Sequence, residues 1–159
     1  MKIFTFVCLF VSVIMISSCS LLRNNKGFVP IEAFAGDTLQ YIKTNFDNRK
    51  EAYVGKKFKY FLKDINVPLN SYFADFVFKG EMGCEGIAFF VNENVDGNGG
   101  SKPIIVHVKW ERLLPSEEPS RMERDNGQTW TKQEEGFYKG VIIKDICTTE
   151  WGTCTECAK

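Results

Sequence analysis

The sequence predicts an α+β domain in which N-terminal helices pack on one face of a small antiparallel sheet. Three observations support this prediction. Apolar residues recur at helical spacing after Gly55, alternate with a period of two after Pro68, and later flank the turn-forming run 96–100. A chain in which helices precede antiparallel strands has the order expected of a helical layer packed on one sheet.

Two helices are predicted in the N-terminal part. Asp37, followed three residues later by Gln40, has the form of a capping box, which places the first helix at about residues 38–48. The second helix follows Gly55, where apolar residues recur at i, i+3, i+4 and i+7. This stripe consists of Phe58, Phe61, Leu62 and Ile65, and four lysines lie off it: Lys56, Lys57, Lys59 and Lys63. The spacing predicts a helix with one apolar and one basic face.

Four strands are predicted after these helices, at residues 72–79, 87–91, 104–110 and 141–146. The second and third are expected to form an antiparallel hairpin around the glycine-rich turn. The last segment also fits helical spacing, and Gly140 favours the strand.

The remaining segments of the C-terminal half are predicted from turn and cap residues. Residues 111–129 are polar and contain two prolines, which predicts a long excursion over the surface. Thr131 and Glu134 form a second capping box, which opens a short helix through about Tyr138. The tail from Thr148 onward is predicted to have little regular structure.

The beginning of the chain has the layout of an export signal. Lys2 precedes about 14 largely apolar residues, a run shorter than the roughly 20 residues that a membrane-spanning helix needs. The run ends in Ile16, Ser17, Ser18 and Cys19, which resembles the lipobox of bacterial lipoproteins. The resemblance implies cleavage after residue 18 and a diacylglyceryl group on the Cys19 thiol. Secretory cleavage without lipid is the alternative.

The same resemblance implies the organisation and location of the mature protein. Residues 19–30 would be a lipidated tether and residues 31–159 a single domain, in keeping with the length that remains after cleavage. Ser20 after the cysteine implies sorting to the outer membrane, and the absence of acidic residues from 21–27 favours the periplasmic side. The chain has 20 basic and 20 acidic residues, a balance that argues against nucleic acid as a partner.

Four cysteines remain after the signal and the lipidated residue are set aside. They are Cys84, Cys147, Cys154 and Cys157. An even number in an exported protein predicts structural disulfides, with all three pairings open. The Cys154–Cys157 CxxC motif also permits a redox site, although no helix is predicted after it. A zinc site of four thiolates would normally have two close pairs, so neither a metal nor a cofactor is expected.

The leading hypothesis is a lipid-anchored, non-enzymatic envelope protein that binds another protein or an envelope component. The lysines at positions 56, 57, 59 and 63 are candidates for contact with a membrane or an acidic partner, and a solvated helix face is the alternative. His107, the single histidine, has only Lys109 and Glu111 as neighbours on its predicted strand face. A thiol–disulfide or other envelope enzyme is the alternative function.

Overall fold

A computed structural model describes residues 27–92 and 102–150 of the chain. Its centre is a four-stranded sheet in the order β1-β2-β3-β4, in which each strand is antiparallel to the next. The strands are β1 (Ser71–Phe78), β2 (Met82–Val91), β3 (Ile104–Pro115) and β4 (Ile143–Glu150). The antiparallel pairing predicted between β2 and β3 is confirmed, and the α+β class is confirmed with it.

The helices are short and contribute to one hydrophobic core with the sheet. The α-helices are α1 (Thr38–Ile42), α2 (Lys59–Asp64), α3 (Glu117–Asn126) and α4 (Lys132–Tyr138). A π-helical turn, Lys43–Asp47, extends α1, and 3-10 turns occupy Ile31–Phe34 and Lys50–Ala52. The two predicted N-terminal helices are therefore confirmed, and the second is shorter than its apolar stripe.

Two polar side chains fix the start of the domain. The Asp37 carboxylate accepts a hydrogen bond from the Gln40 amide at 2.9 Å, as the predicted cap requires. Asn45 is fully buried, and its side-chain amide accepts from the Val29 N–H at 2.9 Å and donates to the Val29 carbonyl at 2.8 Å. These bonds attach the chain at Val29 to the first helix.

Residues 111–129 do not form the predicted surface excursion. β3 continues to residue 115, and α3 follows almost directly. Pro119 lies in the first turn of α3, where backbone N–H groups have no intrahelical acceptor, so the proline removes no helical hydrogen bond. Met122 is fully buried, while Arg121 forms ion pairs on the exposed side of the helix. One buried methionine among charged residues was too weak a signal to predict this helix.

The last strand also extends further than predicted. β4 includes Thr148 and Thr149, which belong to the predicted irregular tail and are buried in the structure. The Thr148 hydroxyl donates to Oδ1 of Asp47 at 2.7 Å. This hydrogen bond satisfies a hydroxyl that would otherwise be costly to bury. The rest of the tail, residues 151–159, is outside the described residues.

The core between the helices and the sheet is largely aromatic. Phe58 is fully buried, and its ring centroid lies 5.5 Å from that of Phe61, 5.2 Å from that of Trp110 and 6.1 Å from that of Phe89. These contacts hold the apolar side of α2 against β2 and β3. The lysines around Phe58 are consequently left on the outer side.

Candidate functional site

The lysines predicted as a basic face are all exposed. Lys56, Lys57, Lys59 and Lys63 are at the surface, whereas Phe58, which lies among them, is buried. Helical spacing and a fixed apolar side account for this arrangement.

Chain pairing brings two further lysines to the same region. Lys57 forms an antiparallel bridge with Ile142, and the Lys59 N–H donates to the carbonyl of Lys139 at 3.0 Å. Lys139 is therefore a neighbour of the predicted lysines, and Lys144 follows two residues after the bridge. Sequence reasoning missed both, because only the pairing of two distant segments brings them together.

We call these six exposed residues the lysine face: Lys56, Lys57, Lys59, Lys63, Lys139 and Lys144. None of them forms an ion pair with a carboxylate in the described part of the chain, whereas Lys50, Lys79 and Lys132 each do. A group of like charges without counter-charges produces a local positive potential that attracts anions. The lysine face can therefore bind phosphate groups or another anionic surface.

A cleft of about 360 Å³ opens beside the lysine face. Its lining residues are Glu111, Arg112, Leu114, Phe137, Gly140, Val141 and Ile142. Phe137 is 38 % exposed, and Ile142 is the bridge partner of Lys57. An exposed aromatic side chain and three half-buried aliphatic ones therefore adjoin the lysine face.

The β1–β2 hairpin ends in a second exposed apolar group. Phe76, Phe78 and Met82 are 37 %, 72 % and 55 % exposed, and Phe78 lies directly opposite Met82 in the sheet register. We call these three residues the apolar tip. With Phe137, they are the large hydrophobic side chains that are exposed among residues 27–92 and 102–150.

His107 lies on the sheet face opposite the helices and contacts two neighbouring polar side chains. Its Nδ1 is 3.8 Å from Oδ2 of Asp75, and its Nε2 is 3.2 Å from Oγ1 of Thr149. The distance to Asp75 is too long for a direct hydrogen bond, and Thr149 is only 6 % exposed. The sequence did not identify these partners, because they come from other strands. The arrangement links β1, β3 and β4 and contains no direct acid–base hydrogen bond.

Cys84 is a free and fully buried thiol, so the prediction of a disulfide at this cysteine is wrong. Its Sγ donates to the carbonyl of Gly86 at 3.1 Å. β2 directs the side chain into the aromatic core, where burial raises the pKa of the thiol to about 11. A thiol in this state is a poor nucleophile and a poor metal ligand.

Of the other cysteines named above, Cys147 lies in the described part of the chain. Cys147 lies opposite His107 in β4 and is disulfide-bonded. Cys154, Cys157 and the predicted lipidation site Cys19 are outside the described residues.

In the folded full-length chain, Cys84 is expected to react with iodoacetamide at least about a hundredfold more slowly than in guanidinium chloride. The reason is that its pKa of about 11, against about 8.5 for an unfolded cysteine, reduces the thiolate fraction at neutral pH. Peptide mapping by mass spectrometry measures this rate, and Cys84→Ser identifies the peptide. Equal rates in the two states would show that the thiol is accessible.

No group of three or more His, Cys, Asp or Glu side chains within residues 27–92 and 102–150 is arranged to hold a metal ion. Two clefts at the other end of the sheet, of about 300 and 390 Å³, share Thr38 and Asn92 in their linings. Asn92 directly precedes residues 93–101, which are outside the described residues, and we propose no ligand for these clefts.

None of the described helices is both long and apolar enough to cross a membrane.

Comparison of the chain with protein-family models, with curated proteins and with solved structures found no match.

Proposed function

We propose that this chain is a lipid-anchored protein of the bacterial envelope whose domain is a binding module, and that its lysine face binds the anionic surface of the membrane that holds the lipid. The lysine face, with six exposed lysines that lack acidic partners in the described part of the chain, is the observation that carries the proposal. The lipobox-like run ending in Cys19 supplies the anchor. Ser20 supports an outer-membrane location, and the lack of acidic residues in 21–27 supports the periplasmic side.

The length of the tether keeps the lysine face near the bilayer. Val29, where Asn45 attaches the chain to the domain, lies ten residues after Cys19. A fully extended chain of this length spans at most about 33–36 Å, and a flexible one typically spans about 16–19 Å. The domain therefore stays within about its own diameter of the lipid headgroups.

The strength of the expected contact fits an orienting role. Each lysine close to an anionic membrane contributes about 1 kcal/mol, and the field decays over about 8 Å at physiological salt. A few such contacts hold a free protein weakly, but they orient a tethered one because the tether keeps its effective concentration high.

The alternative of a thiol–disulfide enzyme receives no support from Cys84, whose thiol is buried. It would depend on Cys154 and Cys157, which are outside the described residues.

The proposal is tested with the mature chain from residue 19 carrying Cys19→Ser, which retains every residue of the core, 28–146. We expect weak binding to vesicles of phosphatidylglycerol and phosphatidylcholine in equal parts, and no binding to phosphatidylcholine alone. Molar salt should abolish the binding, because it shortens the screening length to about 3 Å. Lys56→Glu with Lys59→Glu should remove it while the circular dichroism spectrum and the melting temperature stay unchanged.

The matched control is Arg124→Glu with Lys132→Glu, which changes the net charge equally. Both residues are exposed and lie outside the lysine face, so this variant should bind like the parent. If the parent chain ignores the anionic vesicles even at low salt, the lysine face is only a solvated surface and the proposal is wrong.

A further inference from the structure

The hairpin turn is formed by residues other than the exposed side chains of the apolar tip. In the hairpin turn, Lys79 forms an ion pair with Glu85 at 3.1 Å, and Gly80 has a φ of 85° that suits a tight turn. Single exposed hydrophobic residues are common on proteins, but a contiguous group of them marks a contact surface. Phe78 and Met82 are such a group, because they face each other directly across the two strands.

The apolar tip and the lysine face lie at the same end of the sheet. β1 ends at Phe78 and β2 begins at Met82, next to the end of β3 at Pro115, whereas β4 begins at Ile143, which pairs with Trp110 five residues before Pro115. The apolar tip and the start of β4 are therefore separated by about 14 Å across the strands and about 17 Å along them, or about 22 Å in all. A flat surface inclined to the strands can contact both groups at once.

The residues between these two groups continue the same mixed character. Leu114 and Phe137 lie in the cleft beside the lysine face, together with one cation, Arg112, and one carboxylate, Glu111. Apolar side chains that adjoin a group of cations are typical of surfaces that lie in the lipid headgroup region.

We propose, on the basis of the proposed function, that the apolar tip enters the headgroup region of the anionic bilayer while the lysine face binds the lipid phosphates. The domain then stands on the membrane in one orientation, with this end of the sheet towards the lipid and the other end away from it. The occupant is a lipid surface because the cations match its charge and the tether keeps the domain within reach of it.

The experiment places an environment-sensitive NBD label on the mature Cys19→Ser chain at Met82→Cys, and at Asp125→Cys as the matched control. Asp125 is exposed on α3, away from the apolar tip. Unsubstituted protein, labelled in parallel, measures any reaction of the native cysteines. With vesicles of phosphatidylglycerol and phosphatidylcholine in equal parts, the label at position 82 should shift to the blue and be quenched by spin-labelled lipid. The label at position 125 should remain in water.

Binding measurements separate the two surfaces. Phe78→Ser with Met82→Ser is expected to weaken vesicle binding by about tenfold, because the apolar area gained from insertion is lost. The salt dependence of the residual binding should persist, since the lysine face is intact.

Each outcome has a distinct meaning. Vesicle binding with the label at position 82 still in water overturns this inference and leaves the proposed function standing. Absence of binding by the parent chain overturns the proposed function itself. A blue shift that depends on protein concentration without vesicles would assign the apolar tip to a second copy of the chain and likewise overturn the inference.

Discussion

Replacing Glu134 with alanine is expected to lower the free energy of unfolding by about 3–4 kcal/mol. Glu134 is fully buried at the start of α4. Its carboxylate accepts hydrogen bonds from the Thr131 N–H at 2.8 Å, from the Thr131 hydroxyl and from the side-chain amide of Asn126. The alanine variant leaves these half-buried donors without this acceptor, and each group that stays unsatisfied costs about 1–3 kcal/mol. Chemical unfolding followed by circular dichroism measures the change.

The neighbouring carboxylate provides a matched control. Glu135, on the same turn of the helix, forms an exposed ion pair with Lys132, and such pairs contribute at most about 1 kcal/mol. Glu135→Ala is therefore expected to have a small effect. Comparable losses for the two variants would mean that the network around Glu134 does not stabilise the fold. Because α4 leads directly to Lys139, this network also supports one side of the lysine face.

The same network predicts a dependence on pH. Burial raises the pKa of Glu134, but hydrogen bonds from Thr131 and Asn126 outweigh it, and the net pKa is lowered from the usual 4.5. Folding therefore favours the charged form, and its contribution is fully present above pH 4.5 and is lost as the pH falls through the lower folded value. The stability of Glu134→Gln should accordingly approach that of the unsubstituted protein in acid and fall below it near neutrality.

Local signals predicted those parts of the fold that depend on neighbouring residues. The caps at Asp37 and Thr131 can each be recognised from four consecutive residues, and both are present in the structure. α3 was missed because its burial depends mainly on Met122 and Pro119, which gives no apolar period. The end of β4 was missed because Thr148 and Thr149 are polar in composition and are buried only through partners in other elements.

The candidate site, too, could be predicted only where its residues are close together in the sequence. Four of the six lysines could be grouped from sequence, because they belong to one short segment around Phe58. Lys139 and Lys144 required the pairing with that segment, and no local pattern encodes a contact over about 80 residues of chain. Phe76 and Phe78 lie in the predicted strand 72–79. Their exposure could not be predicted, because it depends on where the covering helices end.

Cys19→Ala is expected to abolish stable attachment of the chain to membranes. In the unsubstituted protein, we expect cleavage before Cys19, a diacylglyceryl mass on the N-terminal peptide, and recovery with membranes after a high-salt wash. Two or three acyl chains hold a protein almost permanently at about 0.8 kcal/mol per buried CH₂, whereas the lysine face contributes about 1 kcal/mol per contact and is screened by salt. Salt should therefore leave the lipidated protein on the membrane.

The variant cannot receive lipid, so it should retain its signal or be recovered as a soluble product. Mass spectrometry of the N-terminus distinguishes these two forms, and membrane fractionation at low and high salt measures the attachment. Processed variant protein that remains with membranes only at low salt would show the contribution of the lysine face by itself. An unsubstituted protein with a mature N-terminus other than Cys19 and no acyl mass would contradict the lipid anchor. In that case a tether of fixed length could no longer explain how the lysine face is held near a membrane.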